Sequence, residues 1–127
     1  MAAPSPIDVV HQFMKLMETL NYDEALKLVA ADCEYINPPP IGAVRGAAGI
    51  RAVLEPFFKP FKENEFRVLR AAASGQAILL ERLDRHLLGD KWVELPVTGV
   101  YEVHDGVITY WRDYFDYATI VGQLPTG

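Results

Sequence analysis

The sequence predicts an α+β fold in which N-terminal helices pack on one face of a strongly curved, mainly antiparallel sheet. Its first half carries apolar residues at helical spacing, whereas its second half alternates apolar and polar residues between short turns that contain glycine. Helices followed by consecutive strands are typical of α+β domains. A sheet that curls around its helices forms a cone, and the open end of a cone suits a small-ligand pocket.

Three helices are predicted in the first half. Ser5 as the N-cap and Pro6 as the first helical residue start the first of them. The second helix is expected at residues 23–30 and the third at residues 46–58, with Pro56 near its end. The apolar face of the first helix, at steps of three and four residues, consists of Val9, Val10, Phe13, Leu16, Met17 and Leu20.

The strands are predicted from alternation and from the breaks between them. Three prolines at positions 38–40 end the first strand, because proline cannot donate a ladder hydrogen bond. The pairs at 74–75, 89–90 and 105–106 each contain glycine, and the last is Asp-Gly, which is among the strongest short signals for a hairpin. The resulting strands cover residues 33–37, 65–73, 76–88, 92–104 and 107–117.

Composition limits the classes of function. The length of 127 residues with 50% hydrophobic residues predicts a single domain, residues 1–127, whose core needs neither a metal nor a disulfide. A net charge of −5 without clustered basic residues argues against binding to nucleic acid or to an anionic membrane. The N-terminus lacks the features of a signal peptide, and Cys33 is the one cysteine, so we expect a cytoplasmic protein.

The sequence carries no motif for a cofactor or a metal. Neither G-x-G-x-x-G nor a Walker loop occurs, so no nucleotide cofactor is expected. His11, His86 and His104 lack the spacing of metal ligands. There is no G-x-S-x-G motif, and Cys33 is expected to be a packed thiol. The residues therefore predict neither a nucleotide cofactor nor a metal site.

On the strand at residues 76–88, charged residues continue an apolar face. Side chains two apart share a face, so the face that begins with Ile78 and Leu80 continues with two charged residues, Arg82 and Asp84. If this face points inward, the pair enters the core together and each charge satisfies the other. In the alternative, these two charges lie in water and the inward face consists of Leu79, Glu81, Leu83 and Arg85.

The last strand places a carboxyl group among aromatic residues. Asp113 shares one face with Trp111 and Phe115. Apolar surroundings favour the neutral form of a carboxyl group, which suits acid/base chemistry near neutral pH. The alternative is that Asp113 pairs with a neighbouring arginine for structure only.

The first strand offers a third pair, Tyr35 and Asn37, again two residues apart. A phenol and an amide beside a pocket can hold a water molecule through complementary hydrogen bonds. The alternative is that Tyr35 packs in the core and Asn37 caps the turn before the prolines.

Together these pairs resemble the limonene-1,2-epoxide hydrolases, a cofactor-free branch of the NTF2-like (SnoaL-like) superfamily. The resemblance is carried by YIN at 35–37, by ERLD at 81–84 and most specifically by TGVYEVHDGVITYWRDYFD at 98–116. It covers nearly the whole chain. It implies an NTF2-like cone, with helices packed on a mainly antiparallel mixed sheet that encloses a pocket and a helix after the last strand.

The resemblance also implies a role for five residues. Asp113 resembles the family's water-activating aspartate, and Tyr35 and Asn37 resemble the residues that hold that water. Asp84 resembles the aspartic acid that protonates the epoxide oxygen. Arg82 resembles the arginine that bridges the two carboxyl groups.

The implied activity is the cofactor-independent addition of water to a small lipophilic epoxide, which gives a vicinal diol. The resemblance further implies a homodimer with the sheet as its interface. The residues expected to line the substrate pocket are Trp111, Leu80, Leu54, Phe57 and Phe58.

Two other functions remain open. One is a different cofactor-free enzyme of the same superfamily, an isomerase or a polyketide cyclase. An isomerase has no need to bind water, so the pair Tyr35 and Asn37 favours hydrolysis. The other is a non-catalytic binding or dimerisation module, which would leave the charged residues exposed or merely salt-bridged.

Overall fold

The computed structural model describes residues 4–125. Two helices and a 3₁₀ turn, two strands and a third helix form the first half, and four strands followed by a short helix form the second. In chain order the elements are helix α1 (Pro6–Glu18), helix α2 (Tyr22–Ala25), a 3₁₀ turn (Leu26–Leu28), strand β1 (Val29–Ile36), strand β2 (Ala43–Arg45), helix α3 (Gly46–Phe58), strand β3 (Glu63–Ser74), strand β4 (Ala77–Leu88), strand β5 (Lys91–His104), strand β6 (Val107–Tyr114) and helix α4 (Tyr117–Val121).

The strands form one six-stranded sheet in the order β2-β1-β6-β5-β4-β3. Strands β1 and β6 run parallel, and every other neighbouring pair is antiparallel. Helix α1 packs against β3, β4, β5 and β6, whereas α3 packs against β1 and β2. The predicted α+β class and the mixed, mainly antiparallel sheet are therefore confirmed.

Helix α1 begins where the sequence predicts. The Ser5 hydroxyl accepts a hydrogen bond from the Asp8 amide at 3.4 Å, which satisfies one of the free N–H groups of the first turn. The predicted apolar face is buried at Val9, Phe13 and other positions of the same stripe. Helix α3 likewise has the predicted bounds, with Pro56 inside its last turn.

The second predicted helix is too long. Helix α2 ends at Ala25, and β1 starts at Val29 rather than at the predicted residue 33. Val29 pairs with Ile108 of β6, which lies far away in sequence. Pairing between distant strands overrides the helical preference of this segment, so periodicity within the segment could not reveal it.

The last strand departs from simple alternation. Ile108 and Trp111 are both buried although they lie three residues apart. Glu102 pairs with Tyr110 and Val103 pairs with Ile108, so Thr109 is the extra residue of a β-bulge. The bulge changes the alternation within β6 and brings Trp111 onto the inner face together with Ile108.

Both ends of the last hairpin follow from local chemistry. At its start, Asp105 and Gly106 have positive φ angles of 52° and 79°, as the predicted Asp-Gly turn requires. At its end, β6 stops at Tyr114 instead of residue 117, because the Asp116 side chain caps α4 by accepting from the Ala118 amide at 3.2 Å.

The structure places no membrane-spanning helix within residues 4–125, because none of the helices there is long and apolar enough.

Candidate active site

The inner face of the sheet and the helices enclose a cavity of about 270 Å³. Apolar side chains, mainly from α1, α3, β3, β5 and α4, form most of its wall. A cluster of polar side chains from β4, from β6 and from the end of β1 and the residue after it forms another part. The apolar part of the wall includes Met14, Met17, Val53, Leu54, Phe57, Phe58, Phe66, Leu95, Val97, Ile120 and Val121.

Strand β4 carries its charged residues on the inner face. The exposed fractions of Arg82 and Asp84 are 2% and 6%, whereas Leu79 on the opposite face is 42% exposed. The alternative with Leu79, Glu81, Leu83 and Arg85 pointing inward is therefore wrong. Residues alternate along a strand, so the buried Ile78 and Leu80 continue directly into the charged pair.

The Arg82 guanidinium bridges two carboxyl groups. Its Nε and Nη2 donate to the two oxygens of Asp84, both at 2.9 Å. Its Nη1 and Nη2 donate to the two oxygens of Asp113, both at 3.2 Å. A planar fork of donors can hold two carboxyl groups in fixed positions, which the single ammonium of a lysine cannot do.

Asp113 lies on β6 and is buried, with 6% of its surface exposed. The indole Nε1 of Trp111 donates to its Oδ1 at 2.8 Å. Burial raises the pKa of Asp113 above its ordinary value, against the opposing effect of Arg82. Burial opposes the charged form of Arg82, but the carboxylates of Asp113 and Asp84 outweigh it and hold the pKa of Arg82 well above its ordinary value. Arg82 therefore remains a cation.

Two residues of β5 complete the surroundings of Arg82, and the sequence analysis did not identify either. The Nη1 of Arg82 donates to the Tyr101 hydroxyl, and burial raises the pKa of Tyr101, which stays a neutral phenol. Gly99 lies beside both groups, because a Cβ there would stand 2.6 Å from Arg82 Nη1 and 2.7 Å from the Tyr101 oxygen. The signal was available in the alternation of β5, whose inner face includes both residues.

Strand β1 brings Tyr35 to the cavity wall, and Asn37, the residue directly after the strand, lies there too. The Tyr35 ring stacks on Trp111 with centroids 3.9 Å apart, and burial followed by the charge of Asp113 raises its pKa well above the ordinary value. Asn37 is 6% exposed, and its Nδ2 has no hydrogen-bond partner among residues 4–125. Tyr35 is thus part of the core and of the cavity wall at once.

The expected pocket residues separate into two groups. Trp111, Leu54, Phe57 and Phe58 line the cavity. Leu80 does not, and this corrects the prediction. It is fully buried on the inner face of β4, but the lining that β4 contributes begins two residues later, at Arg82, so Leu80 belongs to the packed core.

His86 also lines the cavity, although its sequence context suggested no role. It shares the inner face of β4 with Arg82 and Asp84 at the same spacing of two residues, which is the signal that could have identified it. Its Nδ1 lies 2.8 Å from the side-chain oxygen of Asn64. Burial, with a smaller effect of Arg82, lowers the pKa of His86 to about 4.

Helix α4 closes one side of the cavity with Tyr117, Ile120 and Val121. The Gln123 side chain follows this helix and forms two hydrogen bonds with the Glu94 backbone, to its oxygen at 2.7 Å and from its amide at 2.9 Å. These bonds attach the C-terminal segment to β5. Within the described part of the chain, no group of three or more His, Cys, Asp or Glu side chains could hold a metal ion.

Comparison with known proteins gives consistent results. Residues 4–126 match the family described as "Limonene-1,2-epoxide hydrolase catalytic domain". The chain is 35% identical over 108 residues to epoxide hydrolase EphG of Mycobacterium tuberculosis (strain ATCC 25618 / H37Rv), an alignment that covers 84% of this chain and 70% of that protein.

Solved structures agree in fold. An M. tuberculosis LEH-like epoxide hydrolase superposes with a TM-score of 0.78 at 31% identity, covering 92% of this chain and 86% of that one. An NTF2-like protein of unknown function from Cytophaga hutchinsonii ATCC 33406 superposes with a TM-score of 0.72 at 21% identity, covering 91% and 95%. The second likeness shows the fold alone, and it confirms the NTF2-like architecture.

Proposed function

Because this chain belongs to the limonene-1,2-epoxide hydrolase family, we propose that it adds water to a lipophilic epoxide in one acid/base step at Asp113, Arg82 and Asp84. The product is a vicinal diol. The observation that carries the proposal is the bridge from the Arg82 guanidinium to two buried carboxyl groups in the wall of an apolar cavity.

Opening an epoxide at neutral pH needs a base and an acid at the same time. Water is a weak nucleophile until a base takes its proton, and the departing alkoxide is strongly basic until an acid protonates it. Two carboxyl groups perform both tasks when one is ionised and the other protonated. One shared proton also makes the cluster with the Arg82 cation electrically neutral, and a neutral cluster is less costly to bury than one with a net charge.

We assign the base to Asp113. Asp113 lies close enough to Tyr35 for its charge to raise the pKa of that phenol. Tyr35 and Asn37 are the two residues expected to hold the water. The unpartnered Nδ2 of Asn37 supports that assignment, because a buried donor is stabilised by an acceptor such as a water oxygen. The hydrogen bonds from Arg82 and Trp111 stabilise the ionised form of Asp113, while burial raises its pKa and makes that carboxylate a stronger base towards water.

We assign the acid to Asp84, which lies across Arg82 from Asp113. As the water oxygen bonds to an epoxide carbon, the bond between that carbon and the epoxide oxygen breaks. Asp113 takes the proton from water, and Asp84 gives its proton to the epoxide oxygen. The proton then returns from Asp113 to Asp84, and Arg82 contacts both carboxyl groups between which it moves.

The wall of the cavity supports a lipophilic substrate. Outside the polar cluster it is formed almost entirely by apolar and aromatic side chains, which stabilise apolar groups removed from water. The burial of the charged cluster argues against a module without catalytic activity, since such a module has no use for costly buried charges.

We further propose that two copies form a homodimer in the cytoplasm through the outer face of the sheet. Four apolar residues there, Leu69, Leu83, Pro96 and Tyr114, form a strip across four strands and line a shallow groove together with Glu81 and Thr98. Leu69 and Tyr114 are 53% and 50% exposed, and neighbouring exposed apolar side chains suit an interaction surface. Cys33 is a free, buried thiol, as suits a reducing compartment.

The test is hydrolysis in ¹⁸O-labelled water. The purified protein, in excess over substrate, is given limonene oxide, styrene oxide, cyclohexene oxide, a fatty-acid epoxide or a sterol epoxide. We expect a diol that carries one ¹⁸O after a single turnover, because water attacks directly. Asp113→Asn and Asp84→Asn should each lose at least about 100-fold in rate, since each removes one of the two proton transfers.

Asp90→Asn is the matched control, because Asp90 lies in an exposed turn away from the cavity. It should keep the wild-type rate. An unlabelled diol in the first turnover would mean that an enzyme carboxylate attacks the epoxide. Full activity of Asp113→Asn would remove the assigned base, and absence of diol from every epoxide would contradict hydrolysis.

A further inference from the structure

His86 is the polar group of the cavity that the proposed mechanism does not use. It lies on β4 two residues beyond Asp84 and on the same face, which separates their Cα atoms by about 7 Å. The wall around it is aromatic, with Phe57 and Phe58 packed against the imidazole at centroid distances of 5.3 and 5.6 Å. The ring therefore borders the cavity on the far side of Asp84 from Arg82 along the strand.

The ring is held in one orientation. Asn64 lies directly opposite His86 on β3, and its side-chain oxygen is 2.8 Å from Nδ1. The Phe61 ring stacks on the imidazole at 4.9 Å with an interplanar angle of 26°. An amide oxygen is an acceptor only, so Nδ1 carries the proton and Nε2 presents a lone pair.

The imidazole is neutral under ordinary conditions. Burial, and then the positive charge of Arg82, lowers the pKa of His86 to about 4. The ionisable groups on the same face of β4 are Arg82 and Asp84, which already pair with one another. Nε2 is therefore a hydrogen-bond acceptor throughout the neutral range.

That acceptor belongs to a ring in the cavity wall. Nδ1 is engaged by the Asn64 side chain, so Nε2 is the ring nitrogen left for a group inside the cavity. An acceptor in apolar surroundings costs free energy unless a donor reaches it.

We propose that His86 Nε2 accepts a hydrogen bond from a hydroxyl group of the substrate, at the end of the molecule remote from the epoxide. This inference rests on the proposed function and narrows its substrate class to lipophilic epoxides that carry a remote hydroxyl. His86 is a specificity-determining residue and takes no part in the proton transfers.

The test compares two epoxides that differ in one group. α-Terpineol 1,2-epoxide carries a hydroxyl across the ring from its epoxide, and p-menthane 1,2-epoxide of the same configuration carries hydrogen there. For the wild-type protein we expect kcat/KM to be about fivefold higher with the hydroxylated epoxide, as one neutral hydrogen bond gives. His86→Leu should bring the ratio close to one, mainly by raising KM for the hydroxylated epoxide.

Phe57→Leu is the matched control, because it alters the same wall without removing an acceptor. Phe57→Leu should change kcat/KM for both epoxides by the same factor, so the ratio between the two values should stay as in the wild-type protein. A second control uses only the wild-type protein. The methyl ether of α-terpineol 1,2-epoxide cannot donate a hydrogen bond, so its kcat/KM should fall to about that of p-menthane 1,2-epoxide. If His86→Leu fails to fold, this comparison still tests the role of His86.

The outcomes separate the two proposals. Three results would overturn the role of His86 while hydrolysis itself remains supported. The wild-type protein could hydrolyse both epoxides with equal kcat/KM, His86→Leu could leave the ratio of the two kcat/KM values unchanged, or the wild-type protein could use the alcohol and its methyl ether equally well. Hydrolysis of other epoxides but not of the terpineol epoxide would overturn it too. No diol from these epoxides or from the wider panel would overturn the proposed function and this inference together.

Discussion

Among residues 4–125, the buried charged and strongly polar side chains all line the same cavity. Burial of charge costs free energy even when the charges are paired, and apolar side chains at such positions are often neutral or stabilising. The concentration of this cost at one cavity therefore indicates selection for chemistry rather than for stability. The residues are Asn37, Arg82, Asp84, His86 and Asp113.

At this scale, His86 makes stability depend on pH. Its pKa of about 4 in the folded state lies below the ordinary value of 6.5, so the unfolded chain binds the proton more tightly. The stabilising effect is complete above pH 6.5 and is lost as the pH falls towards 4. From pH 7 to pH 5, the wild-type free energy of unfolding should fall by about 2 kcal/mol more than that of His86→Leu.

Urea unfolding at the two pH values measures this difference. His11→Gln serves as the control, because His11 is exposed on α1. It should show the wild-type pH dependence. Equal losses in the wild type and in His86→Leu would mean that His86 is not held neutral by the fold.

At the scale of elements, the register between β4, β5 and β6 assembles the site. Arg82 on β4 pairs with Val97, two residues before Gly99 on β5, and Gly99 in turn pairs with Asp113 on β6. The side chain of Arg82 thus reaches across β5 to Asp113, and it can do so because position 99 has no side chain. A glycine within a strand here marks a close approach rather than a turn.

Gly99→Ala should therefore displace the Arg82 guanidinium. The added methyl group would stand 2.6 Å from Nη1, which is closer than van der Waals contact permits. We expect kcat to fall at least about 100-fold, because both carboxyl groups lose their bridge, and stability to fall by about 1–3 kcal/mol.

Steady-state kinetics and thermal unfolding of the variant test this expectation. Thr98→Ala changes the neighbouring position on the exposed face of the same strand, so it should leave kcat unchanged. Wild-type turnover by Gly99→Ala would show that Arg82 can move away without loss and that its position is not critical.

At the scale of the whole molecule, the helices cover one face of the sheet and leave apolar side chains on the other. The strip of Leu69, Leu83, Pro96 and Tyr114 crosses β3 to β6 on this outer face. In a two-fold symmetric dimer, the strips of both copies are buried against each other. Such dimers are the commonest soluble oligomers.

Light scattering of the purified protein should give about twice the chain mass of 14.2 kDa. Leu69→Glu places a charge in the strip and should shift the mass towards that of one chain, since an unpaired buried charge is costly. Gln12→Glu adds the same charge on exposed α1 and should leave the mass unchanged. A wild-type mass of one chain would refute the dimer.

Much of this protein was determined by local sequence. The Ser5 cap, the apolar stripe of α1, the bounds of α3 and the Asp105-Gly106 turn were all predicted correctly, because each depends on residues a few positions apart. Spacing of two residues along a strand also identified which polar residues share a face, and the family resemblance identified the five residues of the proposed reaction.

The tertiary structure decided what depends on distant pairing. Strand spacing shows which residues share a face, but only packing against the helices decides that Arg82 rather than Leu83 points inward. The early start of β1, the bulge at Thr109 and the place of Tyr101 beside Arg82 each depend on contacts between separate strands. Local periodicity contains no information about such contacts, because their stabilisation arises only when the chain brings remote segments together.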